Sequence, residues 1–342
     1  MNLSDLNKVA EAMVSPGKGL LAADESTGTI KKRFDAIKVE STEDTRRDYR
    51  EMLFRATEAM SKCISGVILY DETIWQKAKD GTPLVKLIEQ AGSIPGIKVD
   101  EGTQPLPNCP GELVTVGLDK LAARLADYYK QGARFAKWRA VIDIGKDIPS
   151  MTAIHVNAHA LARYAALCQA AQIVPIVEPE VLMDGDNDID RCYEVTQRVL
   201  NKTFQELRIQ RVALEGMVLK PNMVVSGKKC AKQASVAEVA EKTIRLLKSC
   251  VPAAVPGIAF LSGGQSDEDA TAHLDAINRI GGLPWKVTFS YGRALQAAPQ
   301  QAWSGKPENV AAGQQAFIHR AQMNSLASKG GWNAGLEQKQ AA

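Results

Sequence analysis

Eight short apolar segments recur along the chain, and each has the length and composition of a buried strand. These segments are 17–24, 65–71, 95–100, 134–143, 173–179, 214–220, 257–261 and 285–291. Nearly all are separated by stretches in which apolar residues recur at helical spacing, for example 118–132 and 188–209. Strand–helix alternation predicts a parallel sheet, and eight repeats predict a closed (β/α)₈ TIM barrel of the α/β class.

Helical stretches also precede and follow the eight repeats. Residues 1–13 and 308–329 have helical spacing and predict N-terminal and C-terminal helical extensions. Beyond Gly330 we expect a flexible tail at about 331–342, because this segment is rich in glycine and polar residues. Three helices are predicted to begin at capping pairs: Ser41 with Asp44, Ser235 with Glu238, and Ser266 with Asp269.

The chain is expected to form a single domain over residues 1–342, since no low-complexity linker or change in composition divides it. An open doubly wound sheet is the alternative fold. That fold calls for a Gly-x-Gly-x-x-Gly turn after the first strand. The sequence there is DESTG at 24–28, which lacks the motif, so the barrel is favoured.

The composition is ordinary for a soluble globular protein, with 45% hydrophobic residues, 24% charged residues and a net charge of +3. The charges are interspersed and leave no nucleic-acid footprint. No apolar run approaches the roughly 20 residues that span a bilayer, and the first residues lack a signal-peptide core. Six scattered cysteines indicate reduced thiols. We therefore expect a cytoplasmic protein with no membrane or nucleic-acid partner.

The segment LEGMVLKPN at 214–222 carries the first candidate for chemistry. Alternation places Lys220 on the same face as Val218, and Pro221 ends the strand. A buried ammonium group needs a nearby carboxylate or loses its proton, and a deprotonated lysine is a nucleophile towards carbonyl groups. From this segment alone, a lysine that only extends past the strand end into solvent is an equal alternative.

Charged side chains gather at the predicted strand ends. They are Asp24, Lys98, Lys137, Arg139, Glu178, Lys220 and Arg293. The carboxyl ends of barrel strands form the active-site face, so these groups are expected to converge; a purely structural ring of salt bridges is the alternative. A lysine with a lowered pKa among other cations forms an iminium with a ketone, and carboxylates move the protons that carbon–carbon cleavage requires.

A phosphate site is predicted where Ser262-Gly263-Gly264 precedes a capped helix, because this loop offers backbone donors to an anion. Arg293, at the end of the next strand, adds a guanidinium group for phosphate oxygens. The glycine pair alone also marks an ordinary turn.

His155 and His159 lie four residues apart on one helix face, a spacing that a zinc site can use. No glutamate follows His155, and the chain has only 4 histidines. A pair on the helix surface is favoured over a ligand set, so we expect neither a metal nor a cofactor.

Seven motifs closely resemble those of the class I fructose-1,6-bisphosphate aldolases. They are LLAADESTG (20–28), GIKVDEG (96–102), FAKWR (135–139), IVPIVEPE (173–180), LKPNMV (219–224), FLSGGQS (260–266) and FSYGRALQ (289–296). The resemblance runs from about residue 4 to 330. It implies a metal-independent (β/α)₈ lyase of glycolysis and gluconeogenesis, a homotetramer that reversibly cleaves fructose 1,6-bisphosphate to dihydroxyacetone phosphate and glyceraldehyde 3-phosphate.

The resemblance also implies catalytic roles. Lys220 corresponds to the Schiff-base lysine and Glu178 to the general acid/base. Asp24 corresponds to the carboxylate that orients the substrate hydroxyls and deprotonates the C4 hydroxyl. Lys137 corresponds to the cation that lowers the pKa of the nucleophile and polarises the carbinolamine oxygen. The supporting residues are Arg139 and Glu180.

The phosphorylated sugar would be held at both ends. The resemblance assigns the 1-phosphate to Ser262, Gly263 and Arg293. It assigns the 6-phosphate to Ser26, Thr29 and Lys98, with threonine at 29 where the family usually has serine. Glu101 stands where vertebrate relatives have a second lysine, so the 6-phosphate end is less positive. The last tyrosine is Tyr291, so the tail tyrosine that assists proton exchange in vertebrate enzymes has no counterpart.

Two other functions remain as alternatives. A scaffold that binds phosphorylated ligands without turnover would not need Glu178, Lys137 and Lys220 together. A transaldolase-like Schiff-base barrel would need one phosphate site, whereas Ser262 with Arg293 and Thr29 with Lys98 suggest two.

Overall fold

The computed structural model describes residues 2–340 and contains ten strands. They are β1 (Gly19–Ala23), β2 (Ile64–Leu69), β3 (Ile94–Lys98), β4 (Thr103–Pro105), β5 (Leu113–Thr115), β6 (Phe135–Ile142), β7 (Val174–Val181), β8 (Val218–Leu219), β9 (Gly257–Phe260) and β10 (Lys286–Tyr291). Eight of them form a closed barrel in the order β1-β10-β9-β8-β7-β6-β3-β2, and the pairs between them are parallel. The predicted (β/α)₈ TIM barrel is confirmed. The remaining two strands, β4 and β5, form an antiparallel hairpin.

Thirteen α-helices accompany the strands in the described residues. They are α1 (Leu3–Met13), α2 (Thr27–Ala36), α3 (Glu43–Phe54), α4 (Thr57–Lys62), α5 (Asp71–Trp75), α6 (Leu84–Gln90), α7 (Leu121–Lys130), α8 (Met151–Ala170), α9 (Ile189–Ile209), α10 (Val236–Cys250), α11 (Asp267–Ile280), α12 (Arg293–Trp303) and α13 (Val310–Ala327). Helices α1 and α13 occupy the two predicted terminal extensions. No helix within residues 2–340 is long and apolar enough to cross a membrane.

The barrel interior is a small apolar core. Its residues come from the inward faces of the strands and from α1: Leu6, Ala10, Met13, Val14, Leu20, Ala22, Ile68, Phe135, Val174, Ile176, Val218 and Ala259. The ring of Phe135 fills space beside β3, where a Cβ at Gly96 would lie 2.2 Å from it, so glycine is required there. Helix α1 covers the amino ends of the strands, and the carboxyl ends are left to form a cavity.

The strand that leads to Lys220 is shorter than predicted. Leu214–Gly216 forms a 3₁₀ turn, and only Val218–Leu219 pairs with the neighbouring strands. The predicted strand over 214–217 is therefore wrong. The amide of Gln169 donates to the carbonyls of Ala213 and Gly216 and holds the turn. The predicted face is correct, because Val218 lies in the barrel interior and Lys220 lines the cavity.

The helix predicted between 41 and 63 is two helices, α3 and α4. Its predicted cap is also wrong: Thr42, not Ser41, accepts a hydrogen bond from the Thr45 amide, and Thr45 reciprocates. Side-chain oxygens of Ser235 and Ser266 cap α10 and α11 as predicted. Helices α2, α5, α6 and α12 and the hairpin of β4 and β5 were not assigned from the sequence pattern.

The C-terminal segment contacts the rest of the protein over much of its described length. Trp332 is buried, and its indole Nε1 donates to Glu337 at 3.0 Å. The Glu337 carboxylate also accepts from Arg320 at 2.6 Å and lies 3.0 Å from His319 Nε2. Flexibility of 331–342 stays a prediction, and residues 341 and 342 lie outside the described part of the chain.

Candidate active site

The carboxyl ends of the barrel strands and the loops that follow them surround a cavity of about 1210 Å³. All twelve residues predicted from the sequence line this cavity. They are Asp24, Ser26, Thr29, Lys98, Lys137, Arg139, Glu178, Glu180, Lys220, Ser262, Gly263 and Arg293. Parallel strands in register bring these side chains to one face, since Lys98 is paired with Lys137, and Arg139 with Glu178.

Two lysines and two carboxylates form a cluster at the base of the cavity, which we call the central cluster: Asp24, Lys137, Glu178 and Lys220. The Lys220 amine lies 3.2 Å from Glu178 Oε1. The Lys137 amine lies 2.9 Å from Asp24 Oδ2 and 3.2 Å from Glu178 Oε2. Both lysines and Glu178 are at most 5% exposed. Lys137 and Glu178 lie on β6 and β7, whereas Asp24 and Lys220 directly follow β1 and β8, so only the closed barrel brings the four residues together.

The charges of the central cluster stabilise one another. Burial raises the pKa of Asp24, but the ammonium groups of Lys137 and Lys220 outweigh this effect and hold the pKa of that carboxyl well below its usual range. Burial lowers the pKa of Lys137, but the carboxylates of Asp24 and Glu178 outweigh it and raise the pKa of that amine. Asp24 is therefore an anion and Lys137 a cation at neutral pH.

Arg139 and Glu180 form a second ion pair beside the central cluster. They lie on β6 and β7, and the guanidinium Nε donates to the carboxylate. Burial lowers the pKa of Arg139, but the Glu180 carboxylate outweighs it, so the pKa of the guanidinium is raised. The pair contributes little net charge to the cavity.

The predicted phosphate loop follows β9. Ser262 is buried, and Gly263 has a φ of +59°, which favours glycine. A Cβ at Gly263 would also lie 2.2 Å from the methyl group of Met183. The Arg293 guanidinium donates to the Gly263 carbonyl, so the arginine lies beside the loop as predicted.

The opposite end of the cavity is formed by the start of α2 and the end of β3. The Ser26 hydroxyl accepts from the Thr29 amide at 3.4 Å and lies 3.1 Å from the Thr29 hydroxyl. The Lys98 amine donates to the Asp100 carbonyl at 2.7 Å and lies 2.8 Å from its carboxylate. A cation and two hydroxyls are thus available to an anionic group.

Ser290 and Asp100 are among the cavity residues that were not assigned from the sequence. Ser290, at the end of β10, lines the cavity, and its buried hydroxyl has no hydrogen-bond partner in the described structure. Asp100 contacts Lys98 and accepts from the backbone amides of Gly102 at 3.2 Å and Arg139 at 3.4 Å. Asp100 lies within the quoted motif GIKVDEG and Ser290 within FSYGRALQ, so both had a signal in the sequence.

The histidine pair lies outside this cavity. His155 and His159 both face Glu206, with Nδ1–oxygen distances of 3.3 and 3.4 Å, and Lys202 also contacts this carboxylate at 2.9 Å. Within residues 2–340, no group of three or more histidine, cysteine or acidic residues is arranged to hold a metal ion.

Comparison with known proteins agrees with this geometry. Residues 5–342 match the family described as glycolytic fructose-bisphosphate aldolase class I. A probable fructose-bisphosphate aldolase class 1 from Xanthomonas campestris is 59% identical, with 97% of this chain and 99% of that protein covered. The Drosophila melanogaster fructose-bisphosphate aldolase is 52% identical, with coverage of 97% and 92%.

A solved structure is also similar. Fructose-bisphosphate aldolase from Plasmodium falciparum is 50% identical, with a TM-score of 0.96 and coverage of 97% of this chain and 96% of that one. Class I enzymes of this kind act through a Schiff base and without a metal. The chain therefore belongs to the class I fructose-bisphosphate aldolase family, the lyases that reversibly cleave fructose 1,6-bisphosphate in glycolysis.

Proposed function

We propose that Lys220 is the amine that carries this reaction. Its amine would attack C2 of fructose 1,6-bisphosphate to give a carbinolamine, which loses water to form an iminium. The observation that supports this role best is the position of Lys220, 3% exposed at the base of the cavity with its amine 3.2 Å from Glu178 Oε1. An acid/base group within this distance is suited to the proton transfers of both steps.

Carbon–carbon cleavage then needs a base for the C4 hydroxyl and an electron sink at C2. The iminium accepts the electron pair of the C3–C4 bond, glyceraldehyde 3-phosphate leaves, and an enamine remains on Lys220. We assign the proton transfers to Glu178, and to Asp24 the orientation and deprotonation of the C4 hydroxyl. Lys137, a cation between these two carboxylates, would polarise the carbinolamine oxygen. Arg139 and Glu180 would support Lys137 and Glu178 from the adjoining ion pair.

The substrate would lie across the cavity with its two phosphates apart. Ser262, Gly263 and Arg293 would bind the 1-phosphate. Ser26, Thr29 and Lys98 would bind the 6-phosphate. Each set combines a cation with hydroxyl or backbone groups, which suits a phosphate dianion.

Assembly and location are part of the same proposal. The chain would be one domain with a tail from about residue 331, would act as a homotetramer in the cytoplasm, and would bind neither nucleic acid nor membrane. Resemblance to the aldolase family supports the tetramer. Light scattering coupled to size-exclusion chromatography tests it, and a monomer at micromolar concentration would contradict it.

Borohydride trapping tests the assignment of Lys220. Reduction of the enzyme in the presence of dihydroxyacetone phosphate should inactivate it and add one triose to the peptide that contains Lys220. Lys62→Met is a matched control, because this lysine is exposed, is absent from the cavity lining and pairs with Glu58. Label on Lys98 or Lys137 instead would overturn the assignment.

A chelator provides an independent test of the chemistry. Cleavage should proceed at an unchanged rate in EDTA, and added zinc should not raise it. Loss of activity in EDTA that returns with a divalent metal would contradict the Schiff-base route.

A further inference from the structure

A buried histidine on helix α11 contacts the loop that follows β9. His273 lies on α11 and is 8% exposed. Its Nδ1 lies 2.5 Å from Oε1 of Gln265, the residue that closes the Ser262–Gln265 turn. Neither residue was singled out by the sequence motifs as a site residue.

The hydrogen bonds around Gln265 fix the direction of its amide. The Nε2 group donates to the Ser262 carbonyl at 3.1 Å, and the backbone amide of Gln265 donates to the same carbonyl at 3.2 Å. The amide oxygen must then face His273 and accept from its Nδ1–H. Burial lowers the pKa of His273, more than the Asp269 carboxylate raises it, so the ring is neutral at neutral pH.

We propose that His273 is a positioning residue that holds the Ser262–Gly263 loop, through Gln265, in the conformation that binds the 1-phosphate of the substrate. The inference deepens the proposed function and rests on its assignment of the 1-phosphate to this loop. His273 does not touch the cavity, since it is absent from its lining, so its effect passes through Gln265.

The hydrogen-bond chain explains why the loop needs this support. Gly263 has a positive φ and no side chain to fix its conformation. The Ser262 carbonyl is bound twice by Gln265, and Gln265 is fixed by His273. Without the Nδ1–H donor, the buried end of the amide loses its partner, and the loop samples conformations that do not fit a phosphate. The loss should therefore be seen in binding and not in the chemical step.

His273→Ala removes the donor and gives the main test. The KM for fructose 1,6-bisphosphate should rise about three- to tenfold, the size expected for one neutral hydrogen bond. The inhibition constant of inorganic phosphate, measured against fructose 1-phosphate, should rise by the same factor. The kcat should stay within about twofold of wild type. His273→Asn places an amide donor near the Nδ1 position and should restore both constants. Failure of asparagine to restore them would overturn the role of the hydrogen bond.

Leu274→Ala is the matched control for loss of stability. Leu274 is the next residue on α11, and it is fully buried in the hydrophobic core outside the barrel interior. This variant should lower the melting temperature at least as much as His273→Ala while leaving the KM unchanged. Equal increases of KM in the two variants would show that His273 has only a structural role.

Gln265→Met extends the test at a partly exposed position. It should raise the KM as His273→Ala does, and the double variant should raise it no further. If the increases in KM from the two substitutions multiply in the double variant, the proposed coupling of His273 to the loop through Gln265 is overturned.

Wild-type behaviour separates this inference from the proposed function. If inorganic phosphate does not compete with fructose 1-phosphate in the wild-type enzyme, the assignment of the 1-phosphate to the loop fails, and the role of His273 fails with it. If phosphate competes with fructose 1-phosphate equally well in the wild type and in His273→Ala, the 1-phosphate assignment stands and only the role of His273 is overturned.

Discussion

The central cluster and the two ends of the cavity are built in different ways. In the central cluster, both lysines are buried, and each contacts at least one carboxylate from a different part of the barrel. At the ends, Arg293 and Thr29 are exposed, and the contacts of Ser26 with Thr29 and of Lys98 with Asp100 are local. Buried charges interact strongly because the surrounding dielectric is low, whereas exposed charges are screened by water and salt.

This difference predicts a division of labour. A substitution in the central cluster leaves a buried charge without its partner and changes the chemical step. A substitution at either end removes one contact to a phosphate and chiefly changes binding. The following variants test this division, from the largest expected effect on activity to the smallest.

Lys220→Met should have the largest effect. Cleavage should fall by at least about a thousandfold, because the covalent route through the iminium is lost. Steady-state assays and borohydride trapping measure this loss, and circular dichroism checks the fold. Lys62→Met should retain normal kcat, because this lysine lies on the surface and outside the cavity lining. Comparable losses in both variants would contradict a special role of the central cluster.

Glu178→Gln should lower kcat by about a hundredfold or more, within the usual range for loss of a general acid/base. The KM should change little, because Glu178 is not assigned to either phosphate. Single-turnover measurements of iminium formation and of cleavage would separate its proton transfers in dehydration from those in carbon–carbon cleavage. A change confined to KM would place Glu178 with the binding groups instead.

Lys98→Ala and Arg293→Ala should affect the binding of the two phosphates of the substrate differently. Lys98→Ala should lower kcat/KM for fructose 1,6-bisphosphate by about ten- to a hundredfold, as expected for a charge-assisted hydrogen bond, but change fructose 1-phosphate cleavage less than threefold. Arg293→Ala should lower kcat/KM for fructose 1,6-bisphosphate and for fructose 1-phosphate by similar factors. Reversed patterns would mean that the phosphate ends are assigned the wrong way round.

Asp24→Asn tests the electrostatics of the central cluster through stability. The pKa of Asp24 is lower in the folded protein than in the unfolded chain, so its ionisation stabilises the fold above the unfolded pKa. This contribution is lost as pH falls towards the folded value. The difference in free energy of unfolding between wild type and Asp24→Asn should therefore be constant above about pH 5 and shrink below about pH 4. Denaturation series at several pH values measure it; a difference that grows on acidification would contradict the lowered pKa.

Deletion of 331–342 should have the smallest effect on activity, less than tenfold or about 1.4 kcal/mol in the barrier. The segment offers no tyrosine for proton exchange. Stability should still fall, because the deletion removes buried Trp332 and the Glu337 carboxylate that pairs with buried Arg320. Deuterium exchange into dihydroxyacetone phosphate and thermal melts separate the two effects, with Glu337→Gln as a partial control. A hundredfold loss of exchange with cleavage intact would reveal a catalytic tail.

The sequence by itself determined the barrel and much of its active face. Strand and helix periodicities differ, so eight strand–helix alternations could be counted, and alternation placed Lys220 on the face of Val218. Motif resemblance then named the side chains that line the cavity. These properties are local, since they depend on residue order within one segment.

Only the tertiary structure decided which charges meet. The contact of Lys137 with Asp24 joins β6 to the loop after β1, and it depends on barrel closure rather than on local order. The same is true of the turn that shortens β8 through Gln169, and of the support that His273 gives to Gln265. The local sequence pattern carries no information about contacts between residues far apart in the chain, because those contacts depend on the tertiary packing of helices and strands.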